Sequence, residues 1–389
     1  MSESTPQSGV RVALSHHWLV RERGGEKVLR EFCRIWPGAP IYTLVHDPAH
    51  AGGGWPTVHE SPLARIPGAR RHYQKLLPLF PWAARSVQIP DCDLVVCSDA
   101  AIAKAMRVPE RARLVCYCHS PMRYVWDLAE EYGRAIPAPL RPMWRMLGAR
   151  LRRADARAAE RVDLFIANSR HVAQRIARAY GKASVVIHPP VEVPAAPPPT
   201  VQSRGEHYIC VGYHVGYKRL DLAVAACAAL GRRLVVIGDG PQVASIRRAN
   251  PAHVEWRGWL NAGQIAAALR EARGLLFPGE EDFGIVPVEA LAHGCPVIAY
   301  GVGGVTESVV EGEHGVFCSQ QTVESLTAAM VEFERRSFDS RSMHARAMQF
   351  SAELFRARMR AACEAVMRGT GGDLEEVARR IEEAGTRGE

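Results

Sequence analysis

At 389 residues the chain is longer than one hydrophobic core ordinarily serves, which predicts two domains of roughly 150 to 200 residues each and excludes a single small module. Hydrophobic residues make up 47% and charged residues 23%, a balance that excludes a disordered or fibrous chain. The net charge of +8 is unevenly placed: residues 1–200 hold 28 Lys and Arg against 17 Asp and Glu, the remainder 21 against 24, and a basic half suits an anionic partner such as nucleic acid, a membrane surface or a phosphorylated substrate.

The stretch from Met1 to Gly9 is polar, and nowhere do 18 uninterrupted apolar residues occur. The expectation is a chain neither exported by a signal peptide nor spanning a membrane. Short β-branched runs then alternate with helical patterns: Val10–Ser15, Ile41–Leu44, Leu94–Cys97, Arg113–Cys118, Leu164–Ala167 and Val185–Ile187. This is the rhythm of βαβ units. After a proline-rich stretch, Pro189 to Pro199, it restarts with Tyr208–Val211, Leu234–Ile237, Val254–Trp256, Gly274–Phe277 and Pro296–Ala299. Runs apolar at successive positions, such as Leu234-Val235-Val236-Ile237, suit parallel strands covered by helices on both faces. Two doubly wound α/β domains follow, over 1–192 and 206–340, joined by a linker at 193–205. Beyond Thr322 the pattern turns helical, predicting one or two C-terminal helices there, with the helical segment 341–389 packing back toward the first domain, and a polar tail after Gly369 that frays.

Ten cysteines are present, but Cys116, Cys118, Cys210 and Cys295 sit inside apolar runs, where cysteine acts as a small buried hydrophobe. Reduced thiols are expected, and the absence of a C-x-x-C pair speaks against a structural metal.

In open parallel sheets ligands lie beyond the carboxyl ends of the strands, so chemistry is sought in the strand-to-helix loops. The strand Gly274–Phe277 runs into Pro278-Gly279-Glu280-Glu281-Asp282-Phe283-Gly284-Ile285-Val286-Pro287-Val288-Glu289-Ala290, with Pro287 predicted to open a helix. A helix N-terminus offers free N–H groups and a positive dipole end to a diphosphate, while carboxylates beside it accept hydrogen bonds from sugar hydroxyls. Glu281 and Glu289, eight positions apart, reach different parts of an extended ligand.

The segment from Tyr208 to Val316 resembles the donor-binding domain of retaining glycosyltransferases of family 4. The pieces that carry the likeness are Val211-Gly212 followed by Tyr217-Lys218-Arg219, then Val236-Ile237-Gly238-Asp239-Gly240-Pro241, the acidic loop, and Gly303-Gly304 with Glu307. In the first half, Ser15-His16-His17-Trp18-Leu19 with Arg23-Gly24-Gly25-Glu26-Lys27-Val28, Cys116-Tyr117-Cys118-His119-Ser120-Pro121-Met122-Arg123-Tyr124, Ala167-Asn168-Ser169 and Val186-Ile187-His188-Pro189-Pro190 resemble a bacterial mannosyltransferase-like branch. The resemblance implies the GT-B fold, two facing Rossmann-like domains with a cleft between them and C-terminal helices.

It also implies residue roles. Glu281 meets hydroxyls of the transferred hexose, Glu289 the ribose, and the backbone around Phe283, Gly284, Ile285 and Val286 the sugar and phosphates. Lys218 neutralises the diphosphate, with Gly212, Tyr213 and Arg219 nearby; Gly24 and Gly25 let backbone approach the donor closely, and His119 lies over the donor sugar as a hydrogen-bond donor. Many relatives carry an arginine where this chain has Tyr213, so one expected positive charge is missing; Arg219 or the tyrosine hydroxyl are the two candidates to replace it. The implied route is retaining front-face substitution, in which the leaving phosphate takes the acceptor's proton. Neither glutamate is assigned as a covalent nucleophile. No D-x-D motif stands in a suitable loop, so no metal or other cofactor is expected.

Arg65, Arg70, Arg71 and Lys75 precede Leu76-Leu77-Pro78-Leu79-Phe80-Pro81-Trp82, and a second basic segment from Arg141 to Arg161 holds seven arginines and two acids. Basic groups beside a bulky apolar patch suit an anionic membrane surface and a lipid-linked oligosaccharide acceptor; a solvated helix face is the competing reading. The sequence reading is therefore a cytoplasmic, peripheral inner-face hexosyltransferase acting in surface polysaccharide synthesis, with mannose from GDP-mannose first among donors and UDP-glucose or another GDP-sugar as alternatives. A weakened nucleotide-sugar-binding scaffold is the rival suggested by Tyr213. Nucleic acid is not expected as a partner, since aromatic platforms and base-reading motifs are absent. A dehydrogenase is disfavoured because no G-x-G-x-x-G follows the first strand.

Overall fold

The computed structural model describes residues 9–134, 136–198, 204–249 and 251–386; positions 199–203 of the predicted linker, most of the polar start and the last three residues of the tail lie outside them. The chain forms two compact units, Met1–His188 with Glu353–Glu389, and Pro189–Ala352.

In the first unit β1 (Val12–His16), β2 (Ile41–Thr43), β3 (Val58–Glu60), β4 (Leu94–Asp99), β5 (Arg113–Cys118), β6 (Leu164–Ala167) and β7 (Val185–Val186) form a parallel sheet ordered β3-β2-β1-β4-β5-β6-β7. Because side chains alternate across a strand, Val95, Cys97, Leu114 and Cys116 enter one core while Leu94, Val96, Val115 and Tyr117 enter the other. Both faces being apolar, the middle strands read as unbroken hydrophobic runs. All ten cysteines are free thiols and nine are buried, as their apolar settings predict. The strand order reverses between β1 and β4, which makes the loops after those strands the place for a ligand.

The second unit repeats the plan with β8 (Tyr208–Tyr213), β9 (Leu234–Asp239), β10 (Val254–Gly258), β11 (Gly274–Phe277), β12 (Val297–Tyr300) and β13 (Gly315–Cys318), ordered β10-β9-β8-β11-β12-β13 and parallel throughout. Its reversal falls between β8 and β11. Two edge strands, β3 and β13, have no counterpart in the sequence reading. Val58-His59-Glu60 is half-exposed and carries no apolar run, and the four residues of β13 open on a glycine.

The C-terminal region departs further from expectation. Beyond Thr322, four helices occur among the described residues: Val323–Glu334, Ser340–Met348, Ala352–Met367 and Leu374–Thr386. The segment after Gly369 is thus a helix rather than a fraying tail, since Val377 and Ile381, one turn apart, are buried and anchor it. From the helix before it, Phe355 packs at 6.0 Å against Phe32 and 5.7 Å against Tyr117, ring centre to ring centre. These contacts tie the last two helices to the first unit's core.

Candidate functional site

In the second unit the loops after β8 and β11 meet. Lys218 ends a short 3-10 turn, Gly216–Lys218, that follows β8, and its Nζ lies 2.8 Å from Glu281 Oε1 on the loop after β11. The two loops touch backbone to backbone, since a Cβ on Gly279 would fall 2.6 Å from Lys218 Cα, and the loop after β12 closes on the acidic loop as tightly, a Cβ on Gly304 falling 2.3 Å from the Asp282 carbonyl oxygen. Only glycine permits that approach. Gly304 donates its N–H to the Glu281 carbonyl at 2.9 Å, and Gln321 donates to the Pro278 carbonyl at 2.8 Å, so the acidic loop is braced from the loops after β12 and β13.

The helix behind this loop runs Ile285–Ala292, with Gly284 at its N-cap at φ 84°, a left-handed conformation that favours glycine. Pro287 is therefore its third residue rather than its first. The shift costs no hydrogen bond, because the first-turn amides have no intrahelical acceptor. Phe283 is buried and packs 5.5 Å from Phe350, and Ile285 and Val286 occupy the first turn. Glu289 is half-buried at the helix's fifth residue. The structure thus brings Lys218, Glu281 and the Gly284–Ile285 helix start into one loop cluster at the sheet's reversal point.

Gly212 and Tyr213 end β8, Tyr213 in register with Asp239 of β9, and a Cβ on Gly212 would lie 3.5 Å from Lys218 Nζ. Arg219 is the only non-glycine residue at positive φ among the described residues, at 54°, a conformation costing roughly 1–2 kcal/mol. Its guanidinium donates to Asp221 at 3.0 Å and to the Gln321 carbonyl at 3.3 Å. The charge proposed to replace the arginine missing at Tyr213 is therefore already paired with a carboxylate. The sequence reading passed over Asp221, Gln321 and His214, whose buried ring contacts the Ile237 carbonyl at 3.1 Å; no local pattern marks residues that act by bracing a loop.

In the first unit the residues at the β1/β4 reversal form a histidine cluster. Ser98 Oγ lies 3.0 Å from His16 Nδ1 and 2.8 Å from His119 Nε2, and His17 Nδ1 lies 3.3 Å from the Ser98 carbonyl. His119 is fixed through its backbone, its N–H donating to the Asp99 carbonyl at 2.8 Å and its carbonyl accepting from Asn168 at 3.0 Å. The helix Gly24–Ile35 starts against these rings: a Cβ on Gly25 would sit 3.6 Å from His16, 3.7 Å from His119 and 3.8 Å from His17. Gly24 and Gly25 thus open that helix rather than a plain turn.

Burial holds His119 well below the usual imidazole range and His17 down at about 3, the neighbouring histidines adding to the effect. In the second unit burial takes His214 to about 4. Each ring is neutral when folded and gains a proton more readily when unfolded, so stability is full above pH 6.5 and declines as pH falls toward these values. Urea unfolding is expected to show stability dropping between pH 6.5 and 5 by about 1.4 kcal/mol per pH unit for each such ring. Replacing His17 by glutamine should flatten the first unit's slope, and an unchanged slope would speak against its buried neutral state.

Beneath the cluster lies a buried ionic group absent from the sequence reading. Lys104 Nζ contacts Asp99 Oδ2 at 2.9 Å and Asp155 Oδ1 at 2.5 Å. Asp155 also accepts from Trp126 and Tyr180, each at 2.8 Å, and Asp99 accepts from the amides of Ala101 and Ala103. Burial alone would raise the Asp99 carboxyl; Lys104 above all holds it down at about 2. Cys97 and Cys116 lie beside Asp99 with metal-ligand spacing, but both carboxylate oxygens of Asp99 are already engaged.

The basic segments are solvent-facing. Arg65, Arg70, Arg71 and Lys75 are exposed, as are Leu79 and Trp82 at 40% and 51%; Arg70 also pairs with Glu60 at 3.2 Å. The helix Arg141–Glu160 exposes Met143 and Met146 among its arginines, while Leu151 and Ala159 join the core that holds Phe80, Ala83 and Ala84. Among the described residues no helix is long and apolar enough to cross a membrane.

Two family profiles match the chain, one in each half: Glycosyltransferase Family 4 over residues 23–193, and Glycosyl transferases group 1 over residues 205–335. The chain belongs to glycosyltransferase family 4. Among relatives of this family 4 protein, a GDP-mannose-dependent alpha-(1-6)-phosphatidylinositol monomannoside mannosyltransferase of Mycolicibacterium smegmatis is 28% identical over 217 residues, 48% of this chain and 56% of that protein. An uncharacterized glycosyltransferase of Methanocaldococcus jannaschii is 31% identical over 127 residues, 31% of this chain and 36% of that protein. The chain thus spans about half, or less, of the length of these curated relatives. Among solved structures, Anabaena HepE in complex with UDP-glucose superposes with a TM-score of 0.63 at 17% identity, covering 90% of this chain and 98% of that one. Sucrose-phosphate synthase from Thermosynechococcus elongatus gives 0.64 at 17% identity, covering 92% and 100%. The family 4 protein has the GT-B fold, two Rossmann-like parallel-sheet units.

Proposed function

We propose that the protein is a retaining hexosyltransferase that moves mannose from GDP-mannose onto a lipid-linked saccharide at an anionic membrane surface, in surface polysaccharide synthesis. The observation that carries this reading is the Lys218–Glu281 pair at 2.8 Å, set beside the helix start at Gly284–Ile285 where the second unit's strand order reverses. A cation and a helix end suit the diphosphate, whose β-phosphate gains charge as it leaves, and a carboxylate suits the hydroxyls of a hexose. His119 meets a substrate hydroxyl on the same reading. GDP-mannose is favoured over other donors by the mycobacterial relative, which is named for that donor. The membrane surface is favoured by the exposed Trp82, Met143 and Met146 set among arginines.

Incubation with radiolabelled nucleotide sugars and a membrane lipid extract tests the proposal. Label from GDP-mannose is expected in the lipid fraction, and no transfer from any donor would overturn it. A second reading, donor binding without turnover, draws on Tyr213 and on Arg219 being held by Asp221. Saturable donor binding with no label transferred would favour it.

A further inference from the structure

Ser98 stands between two histidines, and a hydroxyl has one proton to give. Its Oγ lies 3.0 Å from His16 Nδ1 and 2.8 Å from His119 Nε2, so when it donates to one ring it accepts from the other. The far side of His16 sets the direction. His16 Nε2 faces Glu26 Oε1 at 3.7 Å, beyond hydrogen-bond reach but close enough that an N–H toward the carboxylate is favoured over a lone pair. Both groups are buried, His16 at 0% and Glu26 at 4% exposure, where such a preference is strongest. Glu26 is itself oriented, its Oε2 accepting the Arg23 N–H at 2.9 Å. Burial alone would raise its carboxyl, yet His16, facing it, holds it below the usual range, which keeps it an acceptor. With the His16 proton on Nε2, its Nδ1 accepts from Ser98, and the Ser98 oxygen accepts from His119.

We propose that the charge of Glu26 sets the His16 tautomer and that the hydrogen bonds from His16 through Ser98 then hold His119 protonated at Nε2, leaving Nδ1 as a lone-pair acceptor for a substrate hydroxyl. Glu26 and Ser98 are positioning residues here; His119 is the group that meets substrate, a step that rests on the function proposed above. The assignment reverses the donor role that the family resemblance implies for His119. His17 stands outside the relay: its Nδ1 faces a backbone carbonyl, which only accepts, so that nitrogen carries the proton.

The relay has an isosteric reversal. In Glu26→Gln the amide oxygen still accepts from Arg23, while the amide nitrogen turns an N–H, in place of a negative charge, toward His16 Nε2 and favours a lone pair there. The His16 proton then moves to Nδ1 and donates to Ser98, which donates to His119, and the His119 tautomer flips. Long-range ¹⁵N–¹H spectra of the histidine rings in the whole chain, with His119 assigned by its loss in His119→Gln, read the tautomer directly. The wild type is expected to carry the His119 proton on Nε2 and Glu26→Gln on Nδ1, with turnover lower by roughly tenfold and an unchanged thermal midpoint. Adding Ser98→Ala to Glu26→Gln should abolish the dependence on residue 26, and Ser98→Thr, which keeps the hydroxyl, should preserve it. A wild-type His119 protonated on Nδ1, or the same tautomer in the wild type and in Glu26→Gln, would overturn the relay, the first of these without any variant having to fold. A flipped tautomer with unchanged turnover would instead remove His119 from substrate contact and leave the donor site of the second unit untouched.

Discussion

Replacing Lys218 by alanine is expected to lower turnover about a hundredfold while the fold survives. The side chain is half-buried at the end of a 3-10 turn, and its Nζ sits 2.8 Å from Glu281, so its loss removes charge from the loop cluster without opening a core. If it stabilises the leaving diphosphate, the loss falls on the chemical step, and affinity for the nucleoside diphosphate product falls with it. Glu281→Ala is expected to cost more than tenfold in turnover, yet to leave product affinity close to normal, because on the proposed reading it serves the hexose and the product lacks one. The two side chains touch, so the double variant should lose less than the product of the single losses. Steady-state rates with product-inhibition constants measure all of this. Near-normal rates in both single variants would overturn the donor-site assignment.

The largest stability effect is expected at Lys104. The residue is 3% exposed, between Asp99 and Asp155 at 1% and 0%. Removing the cation in Lys104→Met strands carboxylates away from water, a loss of about 3–5 kcal/mol, whereas a solvent-exposed pair contributes about 0–1 kcal/mol. Arg336→Ala, which breaks the exposed contact with Glu332 at 2.8 Å, is the matched control. Denaturant unfolding should separate the two variants clearly. Adding Asp155→Leu to Lys104→Met should restore part of the loss by removing one uncompensated charge. A cost below about 1 kcal/mol for Lys104→Met would contradict the ionic group's structural role. Because Asp99 also supplies the carbonyl that fixes the His119 backbone, the same variant should disturb the histidine cluster.

How much of this was legible in the sequence follows from how local each signal is. The central strands were, because Leu234–Ile237 or Arg113–Cys118 are covered on both faces and show it as continuous apolar runs. The strand β3 was not, since Val58-His59-Glu60 is half-exposed and shows no such run, nor was β13, four residues that open on a glycine. The helix after Glu281 was placed correctly but begun two residues late: proline marks a first turn, and the left-handed Gly284 that caps it looks like any other loop glycine. The last helix was hidden because two buried residues, Val377 and Ile381, suffice to dock thirteen. The family resemblance pointed to Lys218 and His119, and the acidic loop before a helix to Glu281, each in the stretch that follows a strand. Both were silent on Ser98, and on Lys104 meeting Asp155, 51 positions away. Those partners are joined only by the fold, and a lone lysine in Ala101-Ile102-Ala103-Lys104-Ala105 reads as a surface residue until its neighbours are known.

The central claim is that the loop from Pro278 to Ile285 holds the diphosphate and sugar of an activated hexose. A crystal structure of the chain grown with GDP-mannose tests it most directly. The expected density places the diphosphate at the Gly284–Ile285 amides with Lys218 Nζ turned to it, and the hexose hydroxyls against Glu281. An unchanged Lys218–Glu281 pair with no nucleotide at saturating concentration, or the nucleotide bound away from that loop, would contradict it.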